Sequence, residues 1–309
     1  MKDLFKTPKN DLPAGLVVFL IALHLCLGIA LASGAPLFSG LITGIVGGIV
    51  VGSLSGSKLS VSGPAAGLTV IVLSAIDTLG SFDQFLVTVF LAGALQLILG
   101  YIKAGIVSHY FPSAVIKGML SAIGIILILK QIPHAVGYDE DYEGDLDFFQ
   151  PDGQNTFSEL IMAADSFEIG AIIIFTLSML ILLLWENKKI KEKAFFKLVP
   201  GGLMVVFVGI FVNQLFQQFS PQLHLENNHL VAIGDEGGFS AFFSQLTFPD
   251  FSVLNNPDIY IIAATIAVVA SIETLLCIEA VDKLDPEKNI TSTNRELKAQ
   301  GVGNMVCGL

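Results

Sequence analysis

Long apolar stretches recur along this chain, at residues 14–33, 36–54, 64–79, 82–102, 112–136, 168–186, 200–219 and 257–281. All but the third have the roughly 20 residues that a helix needs to cross a bilayer. No other feature restricts the fold as strongly. In hydrocarbon a backbone must satisfy its own hydrogen bonds, and stretches of this length do so as helices. A further stretch, 299–309, begins a span and ends with the chain. The expected class is therefore an all-α polytopic membrane protein with about eight spans and the beginning of a ninth. The composition agrees: 14% of residues are charged, against roughly 25% in a soluble domain.

The net charge of −11 leaves no basic face for nucleic acid, which is excluded as a partner. The three cysteines, Cys26, Cys277 and Cys307, sit in apolar segments without metal-like spacing, and read as small packing residues. No cleavable signal peptide is expected, because the apolar run after Pro13 is too long for one. HExxH, GxSxG and GxxxxGK[ST] are absent. Ser55-Gly56-Ser57-Lys58 matches SxxK without any partner motif, so the chain is not read as an enzyme and no cofactor is expected.

Basic residues set the orientation. Lys2, Lys6 and Lys9 precede the first span; Lys58, Lys103 and Lys117 follow at alternate connections. Lys188, Lys189, Lys191, Lys193 and Lys197 lie between the sixth and seventh spans, and Lys283, Lys288, Arg295 and Lys298 after the eighth. If the spans alternate, all lie on one side, which places the N-terminus in the cytoplasm and the chain in the inner (cell) membrane. Lys130 is the exception, expected to snorkel from the fifth span. The opposite connections, 137–166 and 220–256, contain no Lys or Arg. Within the first of them, Asp139, Asp141, Glu143, Gly144, Asp145 and Asp147 follow a calcium-loop template, but Gln150 replaces its bidentate Glu. A solvated acidic loop is expected there.

The third stretch differs from the others. Leu59-Ser60-Val61-Ser62 alternates like a strand; Gly63-Pro64 follows, then the apolar residues 65–76. A strand is expected to lead into a half-helix, with Pro64 in its first turn. The N–H groups of such a helix face whatever lies ahead of them, carrying roughly +0.5 of a charge. Discontinuous helices hold anions this way at the bilayer midplane. Ser62, Gly63, Pro64, Ala65 and Ala66 are the candidate substrate residues. In the second span Gly40, Gly44, Gly48 and Gly52 share one face and predict close packing.

Two ionisable residues lie deep in spans, His24 in the first and Glu273 in the eighth. A carboxylate in hydrocarbon costs roughly 2.5–3.5 kcal/mol, so Glu273 must face a cavity or a partner, and suits coupling to a proton or another cation. A lone histidine such as His24 reads first as a hydrogen-bonded packing residue.

Asp11-Leu12-Pro13-Ala14-Gly15, the SVSGPAAG run from Ser60 to Gly67, the SIETLL run from Ser271 to Leu276 and the motif N-x-E-L-x-A-Q-G-x-G-N from Asn294 to Asn304 resemble the SulP family of inorganic anion transporters. The resemblance covers nearly the whole chain. It implies a 7+7 inverted-repeat transporter fold with a strand-plus-half-helix at the third span. It also implies domains: 1–104 as the first core repeat (spans 1–4), 105–220 as the first gate repeat (spans 5–7), 221–256 as an extracellular loop, and 257–309 as the start of the second core repeat, truncated. The half-helix would bind the anion, with Leu23, His24 and Cys26 as first-span wall residues. Glu273 and Cys277 would form the coupling-ion position. Sodium-coupled bicarbonate members carry Asp and Thr at that position, which moves the expectation toward a proton. The implied function is secondary active transport of bicarbonate or sulfate, coupled to a proton or sodium, by movement of core against gate. An anion channel, a non-transporting member and a nucleobase–cation symporter of related fold are the alternatives, and a homodimer is left open. Ser62, Pro64, Ala65 and Ala66 offer few groups that could read a base, which favours a small anion.

Overall fold

A computed structural model describes residues 8–110, 112–139, 154–187, 190, 196, 199–225 and 246–309. The calcium-loop reading, apart from Asp139, and the five lysines at 188–197 lie outside the described residues.

The apolar stretches form helices α1 (Pro8–Ala32), α2 (Leu37–Val46), α3 (Thr69–Leu79), α4 (Phe82–Tyr101) and α5 (Ser113–Val136). They are followed by α6 (Thr156–Asp165), α7 (Ile169–Glu186), α8 (Gly201–Phe219), α9 (Pro257–Leu284) and α10 (Thr293–Cys307). Among the described residues six helical stretches are long and apolar enough to cross a membrane: Asp11–Ala32, Leu37–Leu54, Phe82–Tyr101, Ile169–Glu186, Gly201–Phe219 and Pro257–Leu284. Ala66–Leu79 is shorter, as a half-helix must be.

The chain divides into two compact units. Of the described residues, the first takes 8–24, 125–139, 154–187, 190, 196 and 199–225. In it, α6 opens with a capping box: Asn155 Oδ1 accepts from Ser158 N, and Ser158 Oγ is bonded to Asn155 N. This helix was not foreseen in the outer connection. It carries Glu159, which lies 3.3 Å from the ammonium of Lys130. Both side chains are buried, so Lys130 does not snorkel; its charge is matched in place by a carboxylate. Beyond α7, Trp185 Nε1 donates to the Val199 carbonyl at 2.8 Å.

Of the described residues, the second unit takes 25–110, 112–124 and 246–309. Its apolar core joins Ala75 and Leu79 of α3, Phe85, Val87 and Ala92 of α4, and Ile259, Ala263, Ile266 and Ala267 of α9. Helices α4 and α10 pack backbone to backbone. A Cβ placed on Gly301 would lie 2.7 Å from Leu97 N and 2.8 Å from Gly93 O. In α2 the ladder widens to a π-helix over Gly47–Val51 before Gly52–Leu54 completes it. The extra residue per turn rotates the glycine face. Gly40 and Gly44 meet Cys26, but it is then Gly47, not Gly48, that lies against the Ser62 carbonyl; nothing lies within 4 Å of a Cβ on Gly48.

After α9 the chain reverses through a turn built on carboxylates. Asp285 Oδ1 accepts from Glu287 N, and its Oδ2 from the backbone N and side-chain Nδ2 of Asn289. Asn289 Nδ2 and the Lys58 ammonium reach Glu287 Oε2. Hydrogen bonds from Asn289 hold both carboxyls below their ordinary values of 3.8 and 4.5. Groups depressed in the folded state contribute stability above their unfolded pKa and lose it as pH falls through the folded one. Amide-exchange protection at Glu287 and Asn289 should therefore stay flat at neutral pH and fall only below the ordinary carboxylate range. A loss of protection already between pH 7 and 6 would contradict this reading of the turn.

Candidate functional site

The local structure around Pro64 departs from the expected strand-to-helix form. Among the described residues Leu59 to Ser62 pair with no strand. Ser62 is instead held by its backbone against Gly47 and by its side chain on α10, where Gln300 Nε2 donates to Ser62 Oγ at 3.0 Å. Nor does Pro64 enter the first helical turn. Ala65 is still extended (φ −100°, ψ 115°), and a 3-10 turn at Ala66–Leu68 precedes α3. Thr69 Oγ1 donates to the Ala66 carbonyl at 2.6 Å across the junction. The helix ends at Gly80, whose φ of 84° closes it in the left-handed region.

No side chain caps the start of this half-helix at Ala65 or Leu68. The group that reaches it comes from α9. The Glu273 carboxylate stands against the Gly67 backbone. A Cβ on Gly67 would lie 3.1 Å from Oε1 and 3.4 Å from Oε2, so glycine at 67 is what lets the carboxylate approach. An acid thus sits against the positive end of a membrane half-helix.

Both lie on a cavity of about 410 Å³ within the second unit. Ser62, Gly63, Pro64, Ala65, Ala66, Glu273 and Cys277 all line it. Leu23, His24 and Cys26 are not among its lining residues. Leu23 and His24 fall in the first unit, and the exposed His24 ring has Nδ1 2.9 Å from the Leu20 carbonyl one turn back. Cys26 is buried against Gly40 and Gly44.

The cavity also has a polar wall that sequence reasoning left out: Gln96 of α4 with Glu296, Gln300 and Asn304 of α10. Asn304 Nδ2 donates to Gln96 Oε1 at 2.6 Å, and Gln96 Nε2 to Ser271 Oγ at 3.4 Å. Gln96 is fully buried. This network fixes α4, α9 and α10 to one another two residues before Glu273. The signal was present: residues 296, 300 and 304 recur every four positions and so share a helix face. The same polar residues lower the hydropathy of the segment, which moved its expected start to 299, six residues after the observed Thr293.

Among the described residues two carboxylates line the cavity, and no Lys, Arg or His does. An anion entering it can be met by backbone N–H groups, by hydroxyls and by side-chain amides, with no positive side chain to help.

The profile of the Sulfate permease family matches residues 9–309. A curated relative, the Putative sulfate transporter YvdB of Bacillus subtilis, is 26% identical over 302 residues, covering 97% of this chain and 52% of its own. The Bicarbonate transporter BicA of Picosynechococcus sp. is 26% identical over 313 residues, covering 99% and 51%. The chain spans about half the length of these relatives. Among solved structures, the transmembrane domain of a cyanobacterium bicarbonate transporter BicA superposes with a TM-score of 0.63 at 24% identity, over 98% of this chain and 72% of that one. SLC26A9 superposes with a TM-score of 0.53 at 16% identity, over 98% and 48%. These likenesses concern the fold.

Proposed function

The chain belongs to the Sulfate permease family, and from that premise we propose that it is the anion-binding part of a cation-coupled secondary transporter for a small inorganic oxyanion of the sulfate or bicarbonate class. It is a multi-pass membrane protein whose relatives carry the names of sulfate and bicarbonate transporters. Residues 1–104 and 257–309 act as a core that moves against a gate at 105–220, with the N-terminus in the cytoplasm. The proposed anion position is the start of the half-helix, among Ser62, Gly63, Pro64, Ala65 and Ala66.

One observation carries the reading: the Glu273 carboxylate already occupies the Gly67 end of the half-helix. Ionised, it repels an arriving anion. At about 4 Å and an effective dielectric near 20 the repulsion is on the order of 4 kcal/mol. Protonated, or screened by a bound cation, it no longer does. Anion and cation then bind cooperatively, each raising the other's affinity by the same factor. Cys277, one turn on from Glu273 and lining the same cavity, offers a thiol where a hydroxyl would suit sodium, which favours the proton.

Glu273→Gln imitates the protonated carboxyl. In proteoliposomes it should keep exchange of labelled sulfate or bicarbonate across the membrane. Its steady accumulation of labelled sulfate under a one-unit pH gradient should fall at least about tenfold, the factor carried by one coupled proton. Accumulation equal to that of the unsubstituted protein would return Glu273 to a structural role.

A further inference from the structure

We infer, resting on the transport reading above, that Gln300 is a positioning residue for the anion: its amide holds the Ser62 side chain so that the hydroxyl proton can turn to the substrate. Gln300 stands on α10, and Ser62 on the extended segment ahead of the half-helix. They lie 238 positions apart and both line the cavity.

The amide meets the hydroxyl with both of its polar atoms. Nε2 lies 3.0 Å from Ser62 Oγ, and Oε1 lies 3.2 Å from it. A serine hydroxyl has one proton to give and two lone pairs to receive with. The Nε2 N–H fills one lone pair and fixes the oxygen. Two acceptors then compete for the proton: Gln300 Oε1, at the longer distance, and whatever enters the cavity. An anion's oxygens accept more strongly than a neutral amide oxygen. When an anion arrives the proton turns to it, and the bond from Nε2 stays in place. The hydroxyl proton has an acceptor in both states, so none is stranded without a partner.

Other hydroxyls on the cavity are spent. Ser33 Oγ donates to the Ile29 carbonyl at 2.6 Å, Ser39 Oγ to Pro36 at 2.7 Å and Thr43 Oγ1 to Ser39 at 2.8 Å. Each gives its proton to a backbone carbonyl three or four residues back. Ser62 lies in no helix and has no such carbonyl; its partner is a side chain that donates as well as accepts. Since no Lys, Arg or His is among the described lining residues, neutral donors of this kind must supply the side-chain contacts to an anion.

A double-mutant cycle isolates the coupling between the two residues. The readout is equilibrium binding of labelled sulfate, and in a separate series labelled bicarbonate, to the purified protein. Ser62→Ala removes the donor and should weaken binding about tenfold or more, as loss of a hydrogen bond to a charged group does. Gln300→Met keeps the length of the side chain without its amide. Ser62 is then free among three staggered rotamers instead of held in one, and binding should weaken about threefold. In the Ser62→Ala background, Gln300→Met should change nothing further, because no hydroxyl is left to turn. A general loosening of α10 would weaken both backgrounds alike, so a loss that persists beside Ser62→Ala overturns the inference. Unchanged affinity in Ser62→Ala, which is one oxygen smaller and needs no change at residue 300, overturns it as well. Either result leaves the proposed function standing. Failure of the unsubstituted protein to bind either anion defeats both.

Discussion

Gly301→Leu should leave almost no protein that runs as a folded species on size-exclusion in detergent, whereas Gly48→Leu should run as the unsubstituted protein does. At Gly301 the nearest atoms to a new Cβ are backbone atoms of α4, 2.7 and 2.8 Å away. Backbone inside a helix cannot step aside as a side chain can. A leucine there must push α10 off α4, and with it the hydrogen bond from Asn304 to the fully buried Gln96. Overpacking of this kind costs typically 1–3 kcal/mol where neighbours can relax, and more where they cannot. Stranding a buried amide adds about 1–3 kcal/mol. The sum approaches the whole stability of many domains. At Gly48 nothing lies within 4 Å, so the same side chain meets open space. Within α2 the sharper pair is Gly47→Ala against Gly48→Ala. Only the first drives a methyl into the Ser62 carbonyl. Equal tolerance at 47 and 48 would contradict the rotated glycine face.

That contrast also marks where the sequence stops being legible. Apolar length located the spans, because hydropathy reports which segments can leave water. It also found the half-helix, whose small residues after Gly63-Pro64 have no reason to be there in an ordinary span. It could not find the π-helix at Gly47–Val51, since a one-residue widening changes no composition and follows from how α2 packs. Lys130 failed for a related reason. Its partner Glu159 lies 29 positions away on a helix too polar to be noticed. Glu273 was readable as an acid needing compensation; that it stands against Gly67 depends on α9 crossing the start of the half-helix. The polar face of α10 is visible in the sequence as a four-residue rhythm, but a family fingerprint and a site wall look alike until the helix is seen to face the cavity. Leu23, His24 and Cys26 rested on resemblance alone, and they do not line that cavity.

The central claim is that an anion is held by the start of the half-helix, and Ala66 is where to test it. Ala66 opens the 3-10 turn ahead of α3 and lines the cavity. Its methyl is small enough to leave the first N–H groups open to a ligand. Ala66→Leu places a branched side chain over them without adding charge or removing a hydrogen bond. Each hydrogen bond to a charged group contributes about 1.5–3 kcal/mol, so losing even one should weaken binding roughly 10- to 100-fold. The measurement is equilibrium binding of labelled sulfate, and in parallel labelled bicarbonate, to purified protein shown by size-exclusion to be folded. The account predicts that Ala66→Leu loses binding by at least that factor at every pH. Unchanged affinity in a folded Ala66→Leu protein would contradict it and place the anion away from the half-helix.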